Sequence, residues 1–182
     1  METELKIEAE EKKEVKPRVC IGHVDSKFRE MFEILWNLIR PHVEAIANTT
    51  LAEYSAYHVR ESIRHGFSDL WIGYIDRTCV ANSANAQENF VSFMDTRKYE
   101  DIFGYVVTRY EPNSVHIWQA YVKPEFQHTN AMEQGFKFLC DTMKNYSAEY
   151  LTFSSNRQGW KDVAEKLGFQ EIHTIYRMKL EK

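Results

Sequence analysis

No stretch of this chain stays apolar long enough to cross a bilayer, and no basic-then-apolar leader opens it. The sequence therefore predicts a soluble protein kept in the cytoplasm, with no membrane partner. Cysteine is scarce: Cys20, Cys79 and Cys140 are odd in number and widely spaced, which excludes a disulfide framework and offers no metal-ligand spacing. They read as reduced thiols, and no metal is expected. A basic excess is also missing. The 23 Lys and Arg stand against 27 Asp and Glu, a formal charge of −4 that argues against general nucleic-acid binding. What the chain does have is apolar and aromatic material, 43% and 14% of 182 residues, which is enough for one domain with a substantial core.

Residues 1–17 are almost all charged or small and read as a solvated tail, leaving residues 18–182 as the domain. Arg18 to Val24 gives a first strand, with Ser26 placed to cap the following helix. Phe28, Met31, Phe32, Leu35, Trp36 and Ile39 would form its buried stripe, and Pro41 would disrupt or kink it. A second helix opens with the capping-box spacing Thr50 to Glu53, turns Leu51, Tyr54, His58, Val59 and Ile63 inward, and stops near Gly66. Asp69 to Ile75 and Ile102 to Tyr110 alternate as strands. Between them, at about 76–101, lies a long polar insertion with Asn82, Ser83, Asn85, Gln87 and Asn89. Its apolar group Phe90, Val91, Phe93 and Met94 is expected to dock on the body or on another subunit, which makes the segment a candidate element for self-association or partner binding.

The densest stretch is Ser114 to Phe169. Ser114 to Val122 alternates as a strand and Pro124 stops it. A helical pattern follows, with Met132, Phe136, Leu139, Cys140 and Met143 on one side. Tyr150 to Ser154 is the next strand, parallel to the first because a helix separates them. The helix N-terminus then lies at the strand ends, where unpaired N–H groups suit a phosphate or pyrophosphate, with Gln127 to Ala131 as the cradle. Ser155 and Gln158 have capping-box spacing for a last helix that runs to Leu167 and stops at Gly168. Phe169 caps the core, and Ile172 to Leu180 alternates as a closing strand.

With V-K-P-E-F-Q-H-T-N-A-M at the turn and K-L-G-F near the end, the span Arg18 to Leu180 resembles the GNAT superfamily of N-acetyltransferases. The resemblance implies an α/β fold with a central mixed, mostly antiparallel sheet flanked by helices, and a V-shaped opening between strands four and five for acetyl coenzyme A. The family's turn pattern, Q/R-x-x-G-x-G/A, places Val122, Gln127, His128, Thr129, Asn130, Ala131 and Met132 at the cofactor; Asn130 and Met132 stand where the glycines usually are. Ala164 stands where a thiolate-protonating tyrosine often is. The resemblance puts the helices after strand one beside the acceptor, so Tyr54, Tyr57, His58 and Arg60 could face it, or simply lie on a helix surface.

Transfer to a small-molecule or protein amine needs a base, an oxyanion donor and an acid. His116 is the candidate base, alternating with Trp118 and Ala120 on one strand face while Gln119 and Tyr121 point the other way. His128 is a second candidate, and the backbone around Val122 would donate to the oxyanion. Tyr121, Tyr150 or Tyr176 is the candidate acid. Gly159 and Trp160 also resemble small GNAT-like proteins encoded in tailed-phage genomes. That leaves open a catalytically silent protein, in the host cytoplasm or the virion, acting through protein–protein contacts.

Overall fold

The computed structural model describes residues 18–49, 54–77, 86–127, 129–145, 148–154 and 160–171. Among the described residues five strands form one sheet in chain order: β1 (Arg18–Val24), β2 (Asp69–Asp76), β3 (Ile102–Glu111), β4 (Ser114–Val122) and β5 (Tyr150–Phe153). The first four pair antiparallel and β4 pairs parallel with β5. A parallel pair needs a crossover, which α4 (Asn130–Asn145) provides. The other helices are α1 (Arg29–Thr49), α2 (Ala56–Arg64), α3 (Ala86–Asp95) and α5 (Trp160–Lys166). This is the mixed, mostly antiparallel α/β sheet expected from the sequence. No described helix is long and apolar enough to cross a membrane.

Side chains alternate across the sheet and divide the core in two. Leu70, Ile72, Tyr74, Tyr105 and Val107 pack with Phe32, Leu35 and Val43 of α1, Val59 and Ile63 of α2, and Phe90 and Phe93 of α3. On the other face Ile21, Trp71 and Val115 meet Leu139 and Met143 of α4. The buried line along α4 is Ala131, Gly135, Leu139 and Met143, a strict four-residue spacing. Met132, Phe136 and Cys140, expected in that stripe, flank it and are partly buried. Gly168, at φ +86°, stops α5 in the left-handed conformation that glycine adopts freely, with Phe169 N–H donating to Ala164 O at 2.9 Å and Gly168 N–H to Glu165 O at 3.0 Å. Phe169 then packs on Phe136 and Phe153.

Several local expectations need correction. The turn before α1 is built on Asp25, whose carboxylate accepts from Lys27 N–H at 2.9 Å, rather than on Ser26. Phe28 precedes the helix and is exposed. α1 continues through Pro41. The carbonyl that Pro41 cannot serve belongs to Asn37, an exposed position on the solvent side of the helix. α2 starts at Ala56, with Ser55 as N-cap and its N–H donating to His58 Nδ1 at 3.0 Å, so His58 faces outward and Tyr54 precedes the helix. Thr50 to Glu53, the Ser155 to Gln158 spacing, the residue 1–17 tail, His128 and the strand Ile172 to Leu180 with Tyr176 lie outside the described residues.

The polar insertion contains α3. Phe90 is fully buried, Phe93 and Met94 are buried, and only Val91 of the apolar group is exposed. Phe93 stacks on Tyr74 with ring centroids 4.2 Å apart. Gly22 of β1 admits the Phe90 ring, because a Cβ there would coincide with the ring carbons. The group docks on this chain's own body and is core, not a surface offered to a second subunit.

Candidate functional site

β4 and β5 pair only from Ser114↔Tyr150 to Ile117↔Phe153. Beyond Ile117, β4 continues from Trp118 to Val122 against β3 alone, with no β5 partner among the described residues. Among the described residues one edge of that segment is therefore open. Its end leads through a short helical turn, Pro124–Phe126, into α4, so the open edge and the first turn of α4 border the same wedge. Lys123 N–H donates to Phe103 O at 2.8 Å and Gln127 Nε2 to Val122 O at 2.9 Å, which fixes the turn where the wedge opens.

A bulge alters what faces the wedge. Val107 pairs with Gln119 but Thr108 pairs with Ile117, so Trp118 is the extra residue. Trp118 and Tyr121 consequently both pack on the α1/α2 side, correcting the alternation that placed them on opposite faces. Gln119 is buried between two phenols, accepting from Tyr105 Oη at 3.3 Å and donating Nε2–H to Tyr54 Oη at 3.1 Å. Tyr54 also lies against Trp118, centroids 5.0 Å apart, and the Arg109 guanidinium carbon sits 3.1 Å from the Trp118 ring centroid. Of the four α2-region candidates only Tyr54 joins this group. Tyr57 is exposed, His58 caps the helix, and Arg60 holds Glu33 of α1 through two hydrogen bonds of 2.6 and 2.8 Å.

Tyr121 stacks on His42 of α1 at 3.9 Å. Burial, reinforced by Glu125, raises the Tyr121 pKa and keeps the phenol protonated. Burial, reinforced by Lys123, lowers that of His42. The sequence could not reveal His42, because its partner lies 79 positions away on a strand whose facing is set by the bulge.

His116 stands at the closed apex, Nδ1 3.0 Å from Thr152 Oγ1 of β5. Burial lowers its pKa; Glu111 raises it less and Arg109 lowers it further. The folded state therefore holds His116 and His42 neutral, while the unfolded chain takes up protons first. Their contribution to stability is complete above the ordinary histidine value of 6.5 and is lost as pH falls through 6.5 towards the depressed folded values. Asp69 is also lowered: burial pushes it up, but hydrogen bonds from His23 and Tyr110 together outweigh that. Its window lies below 3.8 and does not overlap. Thermal unfolding followed from about pH 7.5 to 5 should show a falling midpoint. His116→Asn should reduce the fall, and an undiminished fall in that variant would contradict the assignment.

The remaining cofactor candidates sit at the α4 entrance. Thr129 Oγ1 accepts from Ala131 N–H at 3.3 Å and Thr129 O from Met132 N–H at 3.3 Å, so Thr129 caps two of the amides that would face an anion. Asn130 and Met132 have negative φ, since Arg97 is the positive-φ non-glycine among the described residues. Neither position uses the left-handed backbone that glycine would allow. Ala131 points into the packed stripe, and its N–H already donates to Thr129 Oγ1. The features an acyl-coenzyme A would use here are an open strand edge for an amide-bearing chain and a helix N-terminus with exposed Asn130, whose backbone is unstrained. Glu133 in the first turn is the feature least suited to a pyrophosphate. Among the described residues no three His, Cys, Asp or Glu side chains converge as a metal site would need.

No protein-family model and no curated protein sequence matches the chain. Solved structures do match in fold. A ribosomal-protein-alanine N-acetyltransferase from Brucella melitensis biovar Abortus 2308 superposes with a TM-score of 0.57 at 10% identity, covering 90% of this chain and 100% of that one. The aminoglycoside N-acetyltransferase AAC(6')-Iy in complex with CoA gives 0.56 at 12% identity, covering 92% and 97%. An aminoglycoside acetyltransferase from an uncultured soil metagenomic sample, in complex with sisomicin, gives 0.54 at 10% identity, covering 88% and 97%. The fold is thus that of GNAT acetyltransferases.

Proposed function

We propose that this protein is an N-acyltransferase that moves an acyl group from a coenzyme A thioester to an amine. The observation that carries the reading is that β5 pairs with β4 only as far as Ile117, which leaves Trp118–Val122 without a described β5 partner beside the α4 N-terminus. The match to acetyltransferase structures, one of them holding CoA, supports it. Val122, Thr129, Asn130, Ala131 and Met132 would line the cofactor, the Ala131 and Met132 amides exchanging their Thr129 acceptors for phosphate oxygens, with Gln127 bracing the turn through Val122 O. Bound there, coenzyme A supplies an acyl carbon activated as a thioester.

The chain's own residues have to accept a proton from the incoming ammonium, donate to the oxyanion, and return a proton to the thiolate. His116 is neutral at pH 7 because burial depresses its pKa. In the tautomer that places the proton on Nδ1, where it would donate to Thr152 Oγ1 3.0 Å away, Nε2 keeps the lone pair a base needs. The open backbone ending at Val122 donates to the oxyanion. Tyr121, on the same open segment and protonated through burial, is the acid. Tyr121→Phe keeps the ring on His42 and removes only the hydroxyl. It should lower kcat by roughly a hundredfold with little change in KM for acetyl coenzyme A. Thiol release over a panel of primary amines measures this, and an unchanged kcat would remove Tyr121 from the mechanism.

A further inference from the structure

Arg60 and Arg77 each hold a carboxylate, that of Glu33 and of Asp101. Arg109 does not. Its guanidinium lies over Trp118, half-buried, and makes no ion pair or hydrogen bond with another described residue. The nearest acid along its strand, Glu111, accepts from Ser114 Oγ at 2.8 Å. A guanidinium stacked on an indole keeps its in-plane N–H donors free for a bidentate anion, and a partly desolvated cation without a counter-charge gains strongly when one arrives.

Its position gives that anion a context. Arg109 pairs with His116 across β3 and β4, Trp118 begins the open segment, and Tyr54 with Gln119 closes the α2 side. Cation, two aromatic rings and a buried amide thus lie next to the candidate base. We infer that Arg109, seated on Trp118, receives the carboxylate of the amine acceptor, so that the substrate class is an amino acid or peptide bearing a free carboxylate near its amine. The inference rests on the acyltransferase reading and gives it an acceptor. A carboxylate suits the site better than a phosphate dianion, because one guanidinium faces it and Glu111 stands two residues along the strand.

The test needs no acetyl coenzyme A. Glycylglycine against glycylglycinamide, and phenylalanine against phenylalaninamide, are titrated into the full chain by calorimetry. At least one carboxylate should bind roughly tenfold tighter than its amide. The preference should vanish in Arg109→Gln and shrink without vanishing in Arg109→Lys, which keeps the charge but loses the bidentate fork, with circular dichroism confirming that both fold. Should Arg109→Gln fail to fold, the wild-type pairs and Arg109→Lys decide. Equal binding within both pairs, no binding by any of the four, or a preference that survives Arg109→Gln overturns the proposal while leaving the acyltransferase with another acceptor. A clear carboxylate preference in a protein that does not bind acetyl coenzyme A keeps the anion site and removes the transferase.

Discussion

Phe90→Ala should lower the stability of the folded chain by about 3–5 kcal/mol, the cost of a large cavity in a core that cannot collapse around it. Phe90 is fully buried, touches Tyr74 and Phe93 with centroids 5.5 and 6.5 Å away, and fills the space that Gly22 leaves on β1. Val91, its exposed neighbour, is the control: Val91→Ala should change stability by no more than about 0.5 kcal/mol. Urea unfolding midpoints measure both. Equal, small effects would mean that α3 rests loosely on the sheet and that the insertion is dispensable to the fold.

The second large effect concerns the α4 entrance. Asn130 is exposed and opens the helix, where a carboxylate is favoured by the helix dipole but repels a pyrophosphate. Asn130→Glu should therefore preserve or slightly raise the melting temperature while weakening acetyl coenzyme A binding roughly tenfold or more. Opposite signs for stability and affinity separate this from general damage. Ala131 is a poorer choice, because its side chain lies in the buried stripe and a charge there would disturb the seating of the helix. Unchanged affinity in Asn130→Glu would place the phosphates elsewhere.

How much could be read beforehand depended on whether a signal was local. β1 and β4 were legible to the residue because branched and aromatic side chains alternate in them and turns bound them. The crossover and the Gly168 stop were legible for similar reasons. α3 was concealed because its helix is short and its solvent side is rich in Gln87, Glu88 and Asn89, so only the apolar group stood out. The bulge at Trp118 was invisible, since two-against-one pairing is a property of two strands and leaves no mark on either alone. Everything that depends on the bulge was missed with it: Gln119 between Tyr54 and Tyr105, Tyr121 on His42, Arg109 on Trp118. His116, expected as the base, is tied to Thr152 within the paired stretch of β4 and β5, while Tyr121, expected as the acid, lies on the segment beyond it.

The central claim is that the edge of β4 beyond Ile117, beside the α4 N-terminus, receives a coenzyme A thioester. Calorimetric titration of the full chain with acetyl coenzyme A tests it without requiring the acceptor. The account predicts saturable one-site binding at roughly micromolar affinity or tighter, about −8 kcal/mol or more favourable, weakened by Asn130→Glu. No detectable binding at millimolar ligand would contradict it and leave the wedge as a feature of the fold without a cofactor.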